Sequence, residues 1–203
     1  MDTSSAQSWD AMYDSREQVF SGAPNPVLVG EASDLPPGQA LDVGCGEGAD
    51  ALWLARRGWL VTAVDVSRTA LRRAAAAGGA LADRVCWAQA DLLAAPPPAG
   101  AFDLVSVHYF PLPVRPGHGP LRGLLDAVAP GGTLLFATHD LTGLSPDPER
   151  GFDPGAYYQA HDIAALLDPA WEIVVDETRP RPAPGPAGTR HTHDTVLRAR
   201  RPD

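Results

Sequence analysis

Along the first 140 residues, short apolar runs alternate with longer segments whose apolar positions recur at helical spacing. Residues 40–43 (ALDV), 60–64 (LVTAV), 85–88, 102–107 (FDLVSV) and 133–138 (TLLFAT) have the composition of buried strands. Between them, residues 49–57, 69–77 and 121–129 are rich in Ala, Leu and Arg and read as helices, with Ser67 as an N-cap and Gly58 and Gly78 as stops. Strand and helix alternating at this pitch predict right-handed βαβ crossovers and a parallel sheet covered on both faces. After Ala164 the pattern changes. Residues 171–178 (WEIVVDET) and 194–199 (DTVLRA) read as two strands with no helix between them, most simply an antiparallel hairpin at the far edge of the sheet. The first thirty residues read as a separate helical or irregular lead-in.

Gly and Pro, 20 and 21 residues, punctuate this pattern instead of diluting it. They gather at Pro24-Asn25-Pro26, Pro36-Pro37-Gly38, residues 96–100 and 111–120, and Pro130-Gly131-Gly132, as turn chemistry requires. Only residues 179–188 (RPRPAPGPAG) read as a low-complexity linker. Of the 203 residues 44% are hydrophobic and 20% charged, enough to bury a core without disulfides or metals. Acids outnumber bases 25 to 16, every base is Arg, and the net charge of −9 argues against a nucleic-acid or polybasic membrane partner. Cys45 and Cys86 have no metal or redox spacing, which suits free thiols in a reducing compartment. The first ten residues carry neither a positive charge nor an apolar run, so no signal peptide is expected, and no stretch has the length of a membrane span. The expectation is a soluble, cytoplasmic protein.

The most informative segment is Ala40-Leu41-Asp42-Val43-Gly44-Cys45-Gly46-Glu47-Gly48, a strand running into a Gly-rich turn and then a helix. Gly44, Gly46 and Ala49 fit a G-x-G-x-x-A spacing, and Asp65 lies about twenty residues on, where a dinucleotide fold places its ribose acid. A nicotinamide oxidoreductase is therefore one reading. Charge separates it from another. A pyrophosphate would be repelled by Asp42 and Glu47, whereas a ligand with cationic groups and no phosphate fits them. S-adenosylmethionine is such a ligand, with an ammonium and a sulfonium at one end and a ribose diol and adenine at the other. A bare turn with no ligand would need fewer glycines and no acids.

ALDVGCGEG, VTAVDVS with Asp65, WAQADLL with Asp91, FDLVSVHYF and LDAVAPGGTLLF, in this order, resemble the successive motifs of class I S-adenosylmethionine-dependent methyltransferases over about residues 9 to 140. Trp9-Asp10, Tyr13 and Ser21-Gly22-Ala23-Pro24-Asn25 are similar to the lead-in of small members of the tellurite-resistance and thiol methyltransferase type, where it closes over the cofactor. The resemblance implies a three-layer, Rossmann-like α/β fold with a seven-stranded, mostly parallel sheet whose last strand is antiparallel. One domain over residues 1–203 is expected, with a lid over 1–30, a cofactor-binding core over 31–140 and a substrate-side segment with the terminal hairpin over 141–203. The implied activity is transfer of a methyl group from S-adenosylmethionine to O, N or S of a small molecule, by a monomer or homodimer. Two alternatives stand beside it: an NAD(P)-dependent oxidoreductase, and a non-methylating S-adenosylmethionine-binding cyclase or binding protein on the same fold.

Carried over by residue, the resemblance puts Gly44 and Gly46 against the methionine part of the cofactor, with Cys45 between them in the common GCG form. Asp42 orients that end through the ammonium, and Asp65 accepts both ribose hydroxyls. Asp91 accepts from the adenine amino group, the Leu92 N–H reads a ring nitrogen, and Val66 packs on the adenine face. Each acid has a plainer alternative as a helix N-terminal charge or a turn residue. Trp9 and Tyr13 belong to the closing lead-in, and Trp9 and Phe20 could shield a sulfonium. Trp53, Trp59 and Trp87 read as core, and Cys45 as packing with a thiol pKa raised by the neighbouring acids.

Ligands of an open parallel sheet bind beyond the carboxyl ends of its strands, so His108 and Tyr109, after the fourth strand, and His139 and Asp140, after the fifth, face the crevice of the glycine turn. The imidazoles of His108 and His139 are the candidate catalytic bases. In the resembling proteins the residue at His108 often only contacts cofactor, and His139-Asp140 could be a strand-end pair. His191 and His193 could share one face and hold a metal, but no third ligand stands near and no metal is expected; His193 could instead reach the substrate. Tyr157, Tyr158 and His161 suit either substrate contact or the apolar face of a short helix.

Overall fold

The structure is a computed structural model that describes residues 3–181 and 191–203. The lead-in forms α1 (Thr3–Asp14) and α2 (Pro26–Ala32), the second starting on Pro26, whose missing N–H costs nothing at the first helical position. Then follow β1 (Gln39–Val43), α3 (Ala49–Arg56), β2 (Leu60–Asp65), α4 (Arg68–Gly78), β3 (Val85–Gln89), β4 (Phe102–His108), α5 (Gly119–Ala127), β5 (Val128–His139), α6 (Ala160–Ala164), β6 (Glu172–Pro180) and β7 (His193–Arg200). Ser67 caps α4 as the sequence predicts, its hydroxyl accepting from the Ala70 N–H at 3.1 Å.

The seven strands lie in the order β3-β2-β1-β4-β5-β7-β6. β1 to β5 run parallel, and β7 is antiparallel to both β5 and β6. The expected hairpin of β6 and β7 is present at the far edge, with β7 as its inner strand against β5. Alternate positions of each strand feed two cores. Leu104, Leu135 and Val196 pack with Val27, Leu28, Leu54 and Trp59 on one face. On the other, Val105, Leu134, Phe136 and Leu197 pack with Leu121, Leu124 and Ile163. Helix, sheet and helix thus form the three layers, and the chain reverses its direction of travel across the sheet between β1 and β4, which opens the crevice.

Three helix ends differ from expectation. The helix predicted over 121–129 stops at Ala127, because Pro130 pushes the preceding residue out of the helical region, and Val128 already pairs with Phe102 as the start of β5. α3 stops at Arg56, one residue early. α4 runs through Gly78 and ends on Gly79, whose φ of +48° an L side chain rarely adopts. In the segment read as a linker, Arg179 and Pro180 belong to β6, the Arg181 N–H reaches the Thr192 carbonyl, and 182–190 lie outside the described residues. Among the described residues no helix is long and apolar enough to cross a membrane.

Candidate functional site

The turn after β1 folds back on the end of β2. The N–H groups of Gly44 and Cys45 both donate to the Val64 carbonyl, at 2.8 and 3.0 Å. Gly44, Gly46 and Gly48 have φ of +69°, +53° and +84°. They also admit close neighbours: a Cβ would stand 2.8 Å from Phe110 Cδ2 at Gly44, 2.9 Å from the Tyr13 hydroxyl at Gly46 and 2.6 Å from the Trp87 ring at Gly48. Gly44 and Gly46, which the resemblance puts against the methionine part of the cofactor, each also have an aromatic residue of the protein against them. Asp65 joins the turn to α4, accepting the Gly46 N–H at 2.9 Å on one oxygen and the Ser67 N–H at 2.8 Å on the other. Burial raises its pKa against these hydrogen bonds. The Cys45 thiol is raised by burial first and by Asp42 and Asp65 second.

Behind the turn lies a buried acidic cluster. Asp42 on β1 is in register with Ser106 on β4, and His108 lies two residues on, so all three face α3. There Asp50 accepts the backbone and side-chain N–H groups of Asn25, both at 2.7 Å, and stands 3.9 Å from His108 Nδ1. Ser106 Oγ is 2.9 Å from the same Nδ1. Two buried atoms remain without a protein partner: Asp42 Oδ2 and His108 Nε2. Burial, followed by the charges of Asp50 and Asp65, pushes Asp42 well above the carboxylate range. Burial also lowers His108, outweighing the attraction of Asp50 and Asp194, and keeps its imidazole neutral.

The lead-in is fastened to this turn. Asp10 accepts from Ser67 Oγ and from the Thr69 N–H at the start of α4. Glu47 accepts the N–H groups of Val19 and Phe20 and pairs with Arg73 at 2.9 Å, while Arg73 donates to the carbonyls of Tyr13 and Arg16. Glu47, read from the sequence as an acid of the ligand cradle, is thus spent on holding the lead-in; the acids behind the turn are Asp42, Asp50 and Asp65. Tyr13 is buried, and burial and the charges of Asp65 and Glu47 raise its hydroxyl pKa. Its ring contacts Trp9 at 6.4 Å and Phe20 at 6.1 Å, and Phe20 is largely exposed. Beyond β2 and β3, Val66 is half-buried and Leu92 packs on the core. Asp91 accepts the Leu93 N–H at 3.0 Å, as a turn residue does. Trp59 is buried in the core, and Trp53 and Trp87 pack against it.

A second cluster stands where β4, β5 and β7 end. His139 does not pair with Asp140, which instead accepts the Thr142 N–H. Its Nδ1 lies 3.2 Å from Oδ1 of Asp194, which is in register with it on β7. The Tyr109 hydroxyl donates to Asp194 Oδ2 at 2.7 Å, and Arg181 Nε is 3.5 Å from the same oxygen. Sequence reasoning put Tyr109 at the crevice but missed Asp194 and Arg181 as its partners, since only the pairing of β7 beside β5 brings them together. His191 stacks on His139 with ring centroids 4.5 Å apart, while His193 is exposed and contacts Thr192. The two do not form the alternating pair that the sequence suggests, because β7 begins only at His193. Among the described residues no three His, Cys, Asp or Glu side chains converge as a metal site. Tyr158 is core, bonded through its hydroxyl to His118. Tyr157 and His161 line a cavity of about 590 Å³ together with Leu141, Thr142 and Leu166.

A mostly parallel sheet with a glycine-rich turn after β1 and acids at the ends of β1 and β2 defines a Rossmann-like α/β protein. Residues 40–132 match a family described as "Methyltransferase domain". A methyltransferase of Mycobacterium tuberculosis (strain H37Rv), itself uncharacterised, is 40% identical over 132 residues, 65% of this chain and 64% of that one. "Probable thiol methyltransferase 2" of Arabidopsis thaliana is 30% identical over 156 residues, 72% of this chain and 69% of that one. The N-methyltransferase NodS of Bradyrhizobium japonicum WM9, solved with S-adenosyl-L-homocysteine, has a TM-score of 0.72 over 98% of both chains at 21% identity. The chain belongs to the class I S-adenosylmethionine-dependent methyltransferases. It spans 64% of the length of the mycobacterial relative.

Proposed function

We propose that this protein transfers a methyl group from S-adenosylmethionine to a small-molecule nucleophile. The observation that carries this reading is the unpartnered, buried Asp42 Oδ2 behind the glycine turn. A buried oxygen without a partner costs free energy; a cationic ammonium relieves that cost and favours the ionised form of Asp42, whereas a pyrophosphate would bring more negative charge to acids that already oppose one another's ionisation. When bound, the sulfonium supplies an electrophilic methyl group. The residues of this chain bind and orient it. Asp42 receives the ammonium, and the backbone of Gly44, Cys45 and Gly46 lines the methionine end. Each Asp65 oxygen already accepts one N–H and keeps a second lone pair for a ribose hydroxyl. Asp91 and the Leu92 N–H take the polar edge of the adenine, and Val66 takes its face. Trp9, Tyr13 and Phe20 cover the cation. His108, neutral and held by Ser106 and Asp50, suits cofactor contact better than proton transfer.

One domain over residues 1–203 fits this reading, with the acceptor entering beside β4 and β5. The acidic balance supports a small molecule over a nucleic acid, and the free Cys45 and Cys86 support a cytoplasmic address. Calorimetry with S-adenosylmethionine, S-adenosylhomocysteine and NAD(P)H tests the cofactor, and mass spectrometry of products formed from methyl-labelled donor tests the transfer. Binding of both sulfur ligands and silence with NAD(P)H are expected; the reverse pattern would overturn the reading.

A further inference from the structure

One carboxylate gathers three partners at the carboxyl ends of β4, β5 and β7, and the cofactor reading uses none of them. Asp194 has a side chain only 1% exposed, and it holds His139 Nδ1, the Tyr109 hydroxyl and Arg181 Nε. Burial alone would raise its pKa, but the hydrogen bonds from His139 and Tyr109 and the charge of Arg181 more than offset this and keep the carboxyl ionised. An ionised carboxylate only accepts, so the His139 proton sits on Nδ1 and the lone pair on Nε2. The ring is 30% exposed at the end of its strand. Tyr109 adopts φ of +53°, a conformation that L residues rarely take, with its N–H on the Ala137 carbonyl at 2.7 Å and its hydroxyl on Asp194. The next residue, Phe110, packs on Gly44 of the cofactor turn, so residues 108–110 bridge the two clusters.

We propose that His139 Nε2 accepts the proton of the acceptor substrate, that Asp194 is the positioning residue behind it, and that the acceptors are neutral, weakly acidic O–H or S–H compounds. This inference rests on the methyl-transfer reading above. As the acceptor's lone pair forms its bond to the methyl carbon, the methyl–sulfur bond breaks with its electron pair left on sulfur. The proton of the O–H or S–H goes to Nε2 and later to water. The groups facing the imidazole are Asp194 on β7, Tyr109 after β4, Arg181 after β6, His191 before β7 and, next in the chain, Asp140. His191 is stacked on His139, and burial first, then the charges of His139 and Arg181, lower its pKa. Arg181 is already paired with Asp194 and lies over the Tyr109 ring at 5.7 Å, which leaves it poorly placed to draw in an anionic acceptor. A cavity of about 590 Å³, whose lining includes Leu141, two residues after His139 in the chain, has room for an apolar or aromatic acceptor body.

Two measurements on the full chain test this. In ¹⁵N-histidine spectra with S-adenosylhomocysteine bound, His139 is expected as the Nδ1–H tautomer, and Asp194→Asn is expected to mix its tautomers. With methyl-labelled donor and 4-methylphenol, butanethiol and iodide as probes, the phenol and thiol are expected to be methylated ahead of iodide. His139→Asn is expected to lower kcat/KM for the phenol and thiol by about 10²–10⁴-fold, with partial rescue by added imidazole and donor affinity held within about threefold. An Nε2–H tautomer in the wild-type protein, unchanged rates in the variant, a preference for iodide, or no turnover of any probe with the donor bound would each overturn the inference. Failure of the wild-type protein to bind the donor would instead overturn the methyl-transfer reading.

Discussion

Asp42, 2% exposed, is buried more deeply than Asp65, 9% exposed, and the two also differ in what surrounds their oxygens. Asp65 is held by two backbone N–H groups, while Asp42 keeps one buried oxygen bare. On the proposed function, Asp65→Ala weakens S-adenosylmethionine binding by about 1.5–3 kcal/mol, measured by calorimetry, the scale of a charged acceptor lost from a site. Asp42 makes a prediction about pH. Its pKa is raised in the folded protein, so as pH climbs above about 4 the unfolded chain releases this proton first and stability falls. Asp42→Asn removes that titration. Urea unfolding is expected to find the variant and wild type near parity at pH 4 and the variant more stable by about 1–3 kcal/mol at pH 8, even as its ligand affinity drops. A difference that shrinks toward pH 8 would show that Asp42 is ionised in the fold. The Asp-Val-Gly-Cys-Gly run made Asp42 a candidate in the sequence, and the spacing of about twenty residues made Asp65 one; their different environments follow from Asp50 of α3 acting on the first and backbone amides holding the second.

Among the elements, α1 owes its place to polar fastening more than to an apolar face. Glu47, Arg73 and Asp10 tie it and the following segment to the glycine turn and to the start of α4. Glu47→Ala should therefore free the Val19 and Phe20 amides, with faster hydrogen exchange there and a global cost of about 1 kcal/mol, since Arg73 is partly exposed. Protection of those amides in the variant would mean that the Tyr13 packing alone holds the lead-in. The charge on Glu47 was visible in the sequence and its partner was not, because Arg73 lies 26 positions away on α4. Strands were legible from their apolar runs. Helix ends were less so beside Gly and Pro: at Gly78-Gly79 either glycine can end the helix, and ahead of Pro130 the helix already stops at Ala127.

For the whole molecule, a ligand that binds only the folded state raises its stability by about 2.7 kcal/mol at a concentration of 100 Kd. For a chain of this length that corresponds to a rise in Tm of roughly 5–10 °C. S-adenosylmethionine and S-adenosylhomocysteine are expected to produce it in a thermal melt, and NAD(P)H is not. The sequence by itself determined the alternation of strands and helices, the terminal hairpin and the glycine turn with its acids. These are set by near neighbours: side-chain period, turn chemistry, and the fixed distance between a strand end and the next helix. Only the tertiary structure decided that β7 enters between β5 and β6, which joins His139 to Asp194 across 55 positions and Tyr109 to it across 85. Strand order and register are properties of the packed sheet, and local spacing along the chain carries no record of them.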